Sequence, residues 1–228
     1  MQNNEKENSL DKVNEFIQKN RKIIFISIGI VVFLFVGMVA YLYLSDNANK
    51  KEIAELDDLN RRFTDLHYFI SQGIDYEDVD TLADEIEAFA LKPSPLTFGK
   101  GIAKGRAWSL LGQIYSGKKE WEKSEEAWLN AAITGNNTYI GPIALFNVAV
   151  SAEEQGNKEQ AIEFLEQCVS HKFEFPSAAR AQFNIGRLHE ELGNYDEALI
   201  AYRDVLINHS NMPVFQHLAR NQITKLEM

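Results

Sequence analysis

Between Ala179 and Pro213 the hydrophobic positions trace two helical stripes, one after the other. Phe183, Ile185, Gly186, Leu188 and His189 share one face at helical spacing. Leu192-Gly193-Asn194 breaks that face as a turn signal, and a second stripe follows at Tyr195, Ala198, Leu199, Tyr202, Val205 and Leu206 before Pro213. The pattern predicts a hairpin of two short amphipathic helices, neither of which can bury its stripe alone. The unit recurs. Gly112, Ala149 and Gly186 lie 37 residues apart, each behind an apolar residue (Leu111, Val148, Ile185). Ser124, Ala161 and Ala198 align as a small residue of the second helix, Trp128, Leu165 and Tyr202 as a large one, and Ala131, Cys168 and Val205 just after it. Gly156 and Gly193 hold the turn, with Trp121 and Tyr195 as the aromatics that follow turns of this kind. A small residue lets two helices approach, and a large one fills the hole between them and the next pair. A fixed period of this size predicts stacked hairpins around a continuous core.

These positions resemble the tetratricopeptide repeat (TPR) family, whose period is about 34 residues. The first unit carries the pattern at Trp108, Leu111, Gly112, Tyr115, Ser124, Trp128 and Ala131. The second carries it at Leu145, Val148, Ala149, Ala152, Gly156, Ala161, Leu165 and Cys168. The third shows Ile185, Gly186, His189, Leu192-Gly193, Tyr195, Ala198 and Tyr202, with Pro213 close behind. The extra residues of each period belong in loops, at Asn136-Asn137-Thr138 and at His171–Ser177. The resemblance covers about 105–213 and implies three repeats over 96–213. The fold class expected is all-α: an N-terminal transmembrane helix, then a short TPR-like α-solenoid of helical hairpins with a C-terminal capping helix.

The flanks divide by their own patterns. Residues 1–22 are polar, with Val13, Phe16 and Ile17 on one side of a short amphipathic helix. Ile23–Leu44 is a run of 22 residues without a charge, and at 1.5 Å per residue it reaches ~33 Å, enough for the ~30 Å hydrocarbon core of a bilayer. It is too long for the apolar core of a cleaved signal peptide, and no small-residue cleavage site follows, so it is expected to be an uncleaved membrane anchor. Lys19, Arg21 and Lys22 abut the run, whereas Ser45-Asp46-Asn47 follows it, and Lys50, Lys51, Arg61 and Arg62 lie further off. The positive-inside rule then places 1–22 in the cytoplasm and the repeats outside it, in the periplasm of a two-membrane bacterium. Residues 45–95 read as a linker helix and a degenerate N-terminal repeat-like hairpin. Its stripes are Ile53, Leu56, Leu59, Phe63, Leu66, Ile70 and Val79, Leu82, Ala83, Ile86, Phe89, Ala90. Gly73-Ile74-Asp75 separates the two, and Pro93-Ser94-Pro95 closes the hairpin. Residues 214–228, with Phe215, Leu218, Ala219, Ile223 and Leu226, read as the helix that caps the last repeat.

Composition adds mostly exclusions. With 45% apolar and 25% charged residues the chain is that of a folded protein, and 33 acidic against 23 basic residues argue against a nucleic-acid surface. The single cysteine, Cys168, rules out an intramolecular disulfide or a cysteine metal cluster and sits at a packing position. His67, His171, His189, His209 and His217 show no ligand spacing, so neither metal nor cofactor is expected. Glu153-Glu154 and Glu190-Glu191 are pairs of the kind acid–base catalysis uses. Their equivalent places just before the turns of two repeats suit a solvated helix end equally. Gly99, Gly101 and Gly105 lack the Lys-Ser/Thr of a phosphate loop, and the sequons at Asn136 and Asn208 rest on spacing alone. No enzyme and no catalytic residue is expected.

What the TPR resemblance implies instead is a concave face lined by first helices. By the family pattern, Arg106, Ser109 and Gln113 point into it from the first unit, Ile143, Phe146, Asn147 and Val150 from the second, and Arg180, Phe183, Asn184 and Arg187 from the third. Arginine forks beside phenylalanine and amide side chains suit an extended peptide. A solvated face of consensus amides and arginines is the alternative. Of the positions with which some family members clamp a C-terminal carboxylate, Asn147 and Arg180 carry fitting side chains; Ser109, Gln113 and Asn184 do not. The whole plan also resembles single-pass inner-membrane TPR proteins associated with the Sec translocon, through the leader's Asp11-Lys12-Val13, Phe16, Asn20 and Lys22. That resemblance implies partners among secreted or unfolded client polypeptides and periplasmic chaperones, with the lipid bilayer met through one helix bounded by Ile23 and Leu44. A structural scaffold, self-associating as a homo-oligomer without a client groove, is the second function class.

Overall fold

The computed structural model describes residues 2–71, 78–93, 101–209 and 212–228, without the side chains of 2–15, 49, 67, 69–71 and 78. Among these residues every regular element is a helix: α1 Gln2–Ser71, α2 Asp78–Leu91, α3 Ile102–Gly117, α4 Trp121–Thr134, α5 Ile140–Glu154, α6 Lys158–Val169, α7 Ala178–Glu191, α8 Tyr195–Asn208 and α9 Pro213–Leu226. The breaks expected at Gly73-Ile74-Asp75 and Ser94-Pro95, and Gly99 beyond them, lie outside the described residues. The chain forms two compact units, 1–50 and 51–228. Leader, apolar run and linker, expected as separate pieces, are continuous in α1. No proline lies between 2 and 71, and the glycines there, Gly29 and Gly37, cost a helix only about 1 kcal/mol each.

In the first unit the apolar run carries its side chains outward, Phe25 at 72% and Phe33 at 77% exposure. It is the one described segment long and apolar enough to cross a membrane.

In the second unit each helix packs on the next, from α2 through α9. Leu56 and Leu59 of α1 join Leu82, Ile86 and Phe89 of α2 and Leu110, Leu111 and Ile114 of α3 in one buried cluster. The period of the sequence is the period of burial. Ser124, Ala161 and Ala198 are fully buried, as are Ala131, Cys168 and Val205. A Cβ built on Gly112 would lie 2.6 Å from the Trp128 ring, and one built on Gly186 would lie 2.6 Å from the Tyr202 ring. The small-against-large pairing is therefore a direct contact between the two helices of a hairpin. The buried hydroxyl of Ser124 is satisfied by Ser116 at 2.7 Å and Ser151 at 2.8 Å, which ties the first repeat to the second. At the far end Phe215, Ala219 and Ile223 of α9 close over Ala198, Tyr202 and Val205.

The three hairpin turns share one geometry. The amides of Glu120, Asn157 and Asn194 bond back to the carbonyls of Tyr115, Ala152 and His189 at 2.8–2.9 Å, and those of Lys119, Gly156 and Gly193 to Ser116, Glu153 and Glu190. This is the paired-bond helix stop that demands a left-handed residue. Gly156 (φ 85°) and Gly193 (φ 80°) supply it without strain, whereas the first turn uses Lys119 at φ 59°. A side chain in that region costs ~1–2 kcal/mol, partly offset by the extra freedom glycine has when unfolded. Lys119→Gly is therefore expected to stabilise the chain by about 0.5–1 kcal/mol and to raise the melting temperature by roughly 2–4 °C. A melting temperature unchanged or lowered would show that the turn is unstrained.

Candidate functional site

The first helices α3, α5 and α7 carry the residues expected in a groove, and the structure sorts them into three groups. Two arginines are spoken for. Arg187 donates to both oxygens of Glu153 at 2.7 and 2.8 Å and to Glu191 at 2.6 Å, bridging α5 and α7. Burial works against its charge, but the two carboxylates outweigh that and raise its pKa. Glu191 is held below the usual carboxylate range, chiefly by the Lys158 ammonium, with burial opposing and Arg187 adding to it. Glu190 accepts from Tyr202 Oη at 3.0 Å and pairs with Lys225 of α9 at 2.7 Å. Glu153, Glu190 and Glu191, of the carboxylate pairs before the turns, are thus rivets between successive helices. Arg106 likewise lies 3.7 Å from Asp57 of α1.

Phe183 belongs to the packing. Its ring sits 5.3 Å from Tyr202 and 6.1 Å from Phe215, half-buried against the α7–α8–α9 cluster. Ser109 and Asn147 bond within their own helices, to the carbonyls of Gly105 and Ile143 at 2.8 Å, and Val150 packs in the α5–α6–α7 core. Asn184 is half-buried on α7.

The third group is brought together. Arg180 is exposed, its guanidinium carbon 5.1 Å from the centre of the Phe146 ring, and that ring leans on Phe175 of the α6–α7 loop at 5.5 Å. Among the described residues Arg180 makes no ion pair, unlike Arg106 and Arg187. Along the same row Gln113 and Asn147 line a cavity of about 630 Å³ whose walls include Phe63 and Leu66 of α1, Val79 of α2 and Trp128 of α4. Lys118 stands at this cavity between Asp80 (2.6 Å) and Glu120 (2.8 Å), and hydrogen bonds to those carboxylates raise its pKa. An apolar pocket lined in part by amides and an arginine close to an aromatic ring can hold side chains and carboxylates of a polypeptide.

Sequence reasoning missed the walls of that cavity because they come from the N-terminal hairpin, whose stripe announces a core and not a rim. It also missed Phe175, whose signal was an aromatic before Pro176 in a loop long for its place. Cys168 is fully buried, and burial pushes its thiol up to about 12, so it packs and does not react. Among the described residues no group of three or more His, Cys, Asp or Glu side chains could hold a metal ion.

Residues 149–213 match the tetratricopeptide repeat family model. A TPR repeat-containing protein of Treponema pallidum (strain Nichols) is 33% identical over 123 residues, 54% of this chain. The match takes in 49% of that relative, so the alignment spans about half its length. Among solved structures, the nearly identical TPR-like repeats of a candidate kinesin light chain from Podosopora anserina superpose over 76% of this chain and 88% of theirs, at a TM-score of 0.51 and 14% identity. A second structure of those repeats gives a TM-score of 0.50 at the same identity, covering 76% of this chain and 89% of its own. At that identity the likeness concerns the fold alone, an all-helical TPR-like solenoid. TPR repeats are modules for protein–protein interaction.

Proposed function

We propose that this chain is a membrane-anchored TPR module whose first-helix face takes an extended polypeptide. In this reading residues 23–44 span the inner membrane, 1–22 face the cytoplasm, and the hairpins from 45 to 228 work in the periplasm. There they receive secreted or envelope proteins or the chaperones that carry them. The observation that carries it is Arg180: among the described residues it makes no ion pair, and its guanidinium carbon lies 5.1 Å from the centre of the ring of Phe146, the residue before Asn147, which with Gln113 lines the pocket. Such a group supplies charge-assisted bonds to an acidic side chain or a C-terminal carboxylate of the partner. Arg180 is exposed, so reversing its charge leaves the core intact. Crosslinking and co-purification from cells carrying Arg180→Glu should lose the partners that the unaltered chain retains. Arg180→Lys should keep a fraction of them, and the helical signal should be unchanged in both. Partners retained by Arg180→Glu would sink the groove as the site.

A further inference from the structure

The second helices are charged unlike the first. On the first-helix side Glu153, Glu190 and Glu191 each meet a cation. Helices α4, α6 and α8 together carry nine carboxylates against three cations. Those three, Lys123, Lys158 and Arg203, pair with Glu120, Glu191 and Glu227, all of which lie off these helices. The negative charge of this face is therefore uncompensated by its own residues, within a unit (51–228) holding 28 acidic and 17 basic residues.

The same face opens into a cleft of about 410 Å³ between α6 and α8, with α7 as its floor. Val169, Ile185 and Ile200 make its apolar surface, and Glu166, Glu197 and Asp204 its rim. His189 stands at its base, with a buried Nδ1 that finds no hydrogen-bond partner among the described residues. Ile200 is 66% exposed, and Ile207, two turns further along the same face of α8, is 75% exposed. Asp204 accepts from Asn208 and lies 4.0 Å from His209, whereas Glu166 and Glu197 make no ion pair among the described residues, and leaving two isoleucines in water beside them stabilises nothing in this chain.

We propose that this cleft docks a basic amphipathic helix of a partner protein, independently of the first-helix face. A groove walled by two helices accepts a third lengthwise. Lysine or arginine stems lie along Val169 and Ile200, their head groups reach Glu166, Glu197 and Asp204, and the apolar stripe of the incoming helix covers Ile207. Charge complementarity selects this occupant: an acidic rim repels nucleic acid and anionic lipid headgroups, and an apolar floor gives a bare polycation no added grip.

The test uses the full chain in phosphatidylcholine nanodiscs and a fluorescent leucine–lysine amphipathic helix peptide as probe, read by anisotropy. Glu166→Gln with Glu197→Gln should weaken binding about tenfold and flatten its salt dependence. Glu122→Gln with Glu126→Gln, the same charge change on α4, should weaken it less than about twofold. Ile200→Ser should weaken it without altering the salt dependence, and Arg180→Glu should leave it unchanged. Equal losses from the two glutamine pairs, or oligolysine binding as tightly as the probe, would reduce the effect to the general field and overturn the proposal. No loss from Glu166→Gln with Glu197→Gln would overturn it outright. Since Arg180→Glu reports on the other face, failure of either proposal leaves the other standing.

Discussion

Gly186→Leu is expected to cost about 4 kcal/mol or more and to unfold α7 to α9 well below the melting temperature of the unaltered chain. Even Gly186→Ala, which in an open helix would stabilise by about 1 kcal/mol, is expected to destabilise by about 1–2 kcal/mol. The added Cβ would lie 2.6 Å from Cε1 of Tyr202. That ring cannot retreat, because it is fully buried, its hydroxyl is tied to Glu190 at 3.0 Å and Phe183 lies against it at 5.3 Å. The second repeat contains the natural answer to the same packing problem, with Ala149 where the third has Gly186 and Leu165 where it has Tyr202. Gly186→Ala with Tyr202→Leu should therefore recover stability to within about 1 kcal/mol of the unaltered chain, although each single change is destabilising. Thermal melts followed by circular dichroism decide it. A Gly186→Ala protein melting at or above the unaltered temperature would mean that the hairpin tolerates a wider crossing than the contact implies.

The repeat was legible because it is written in local chemistry. Residue size at 112, 149 and 186, and again at 128, 165 and 202, is set by one contact within each hairpin, so aligning the chain with itself exposes it. The core of the N-terminal hairpin was legible for the same reason: Leu56, Leu59, Leu82, Ile86 and Phe89 are all buried. The functional face was less so, because its outcome depends on pairs about one period apart. By sequence Glu153 suited acid–base work and a solvated helix end equally, whereas Arg187, 34 residues later, holds both its oxygens. Phe183 sits where the family pattern turns a side chain outward. Its ring is half-buried against Tyr202 and Phe215, so part of its surface goes to packing. Arg180 makes no ion pair among the described residues, a fact about neighbours that no single position states. Lys119 is the reverse case, a residue that breaks the local rule while the backbone keeps it.

The proposed anchor makes the other large prediction, and its arithmetic says how many substitutions are needed. Ile23–Leu44 contains fifteen Leu, Ile, Phe and Val residues, each favouring insertion by about 0.3–0.6 kcal/mol, so the segment carries roughly 5–9 kcal/mol toward the bilayer. One arginine at the centre costs about 2.5–3.5 kcal/mol and leaves a margin; two cost about 5–7 kcal/mol and remove one apolar contribution each, which cancels it. Phe33 and Val36 lie near the middle of the run and are exposed, at 77% and 59%, so changing them disturbs no packing within the first unit. Phe33→Arg alone is expected to stay in the membrane fraction after carbonate extraction. Phe33→Arg with Val36→Arg is expected to appear in the soluble fraction, with the melting of the repeats unaltered. A double variant that resists carbonate extraction would show that something other than this run holds the protein to the membrane. An unaltered chain that is itself soluble would remove the anchor altogether, and with it the periplasmic assignment, which a reporter fused after Met228 reads directly.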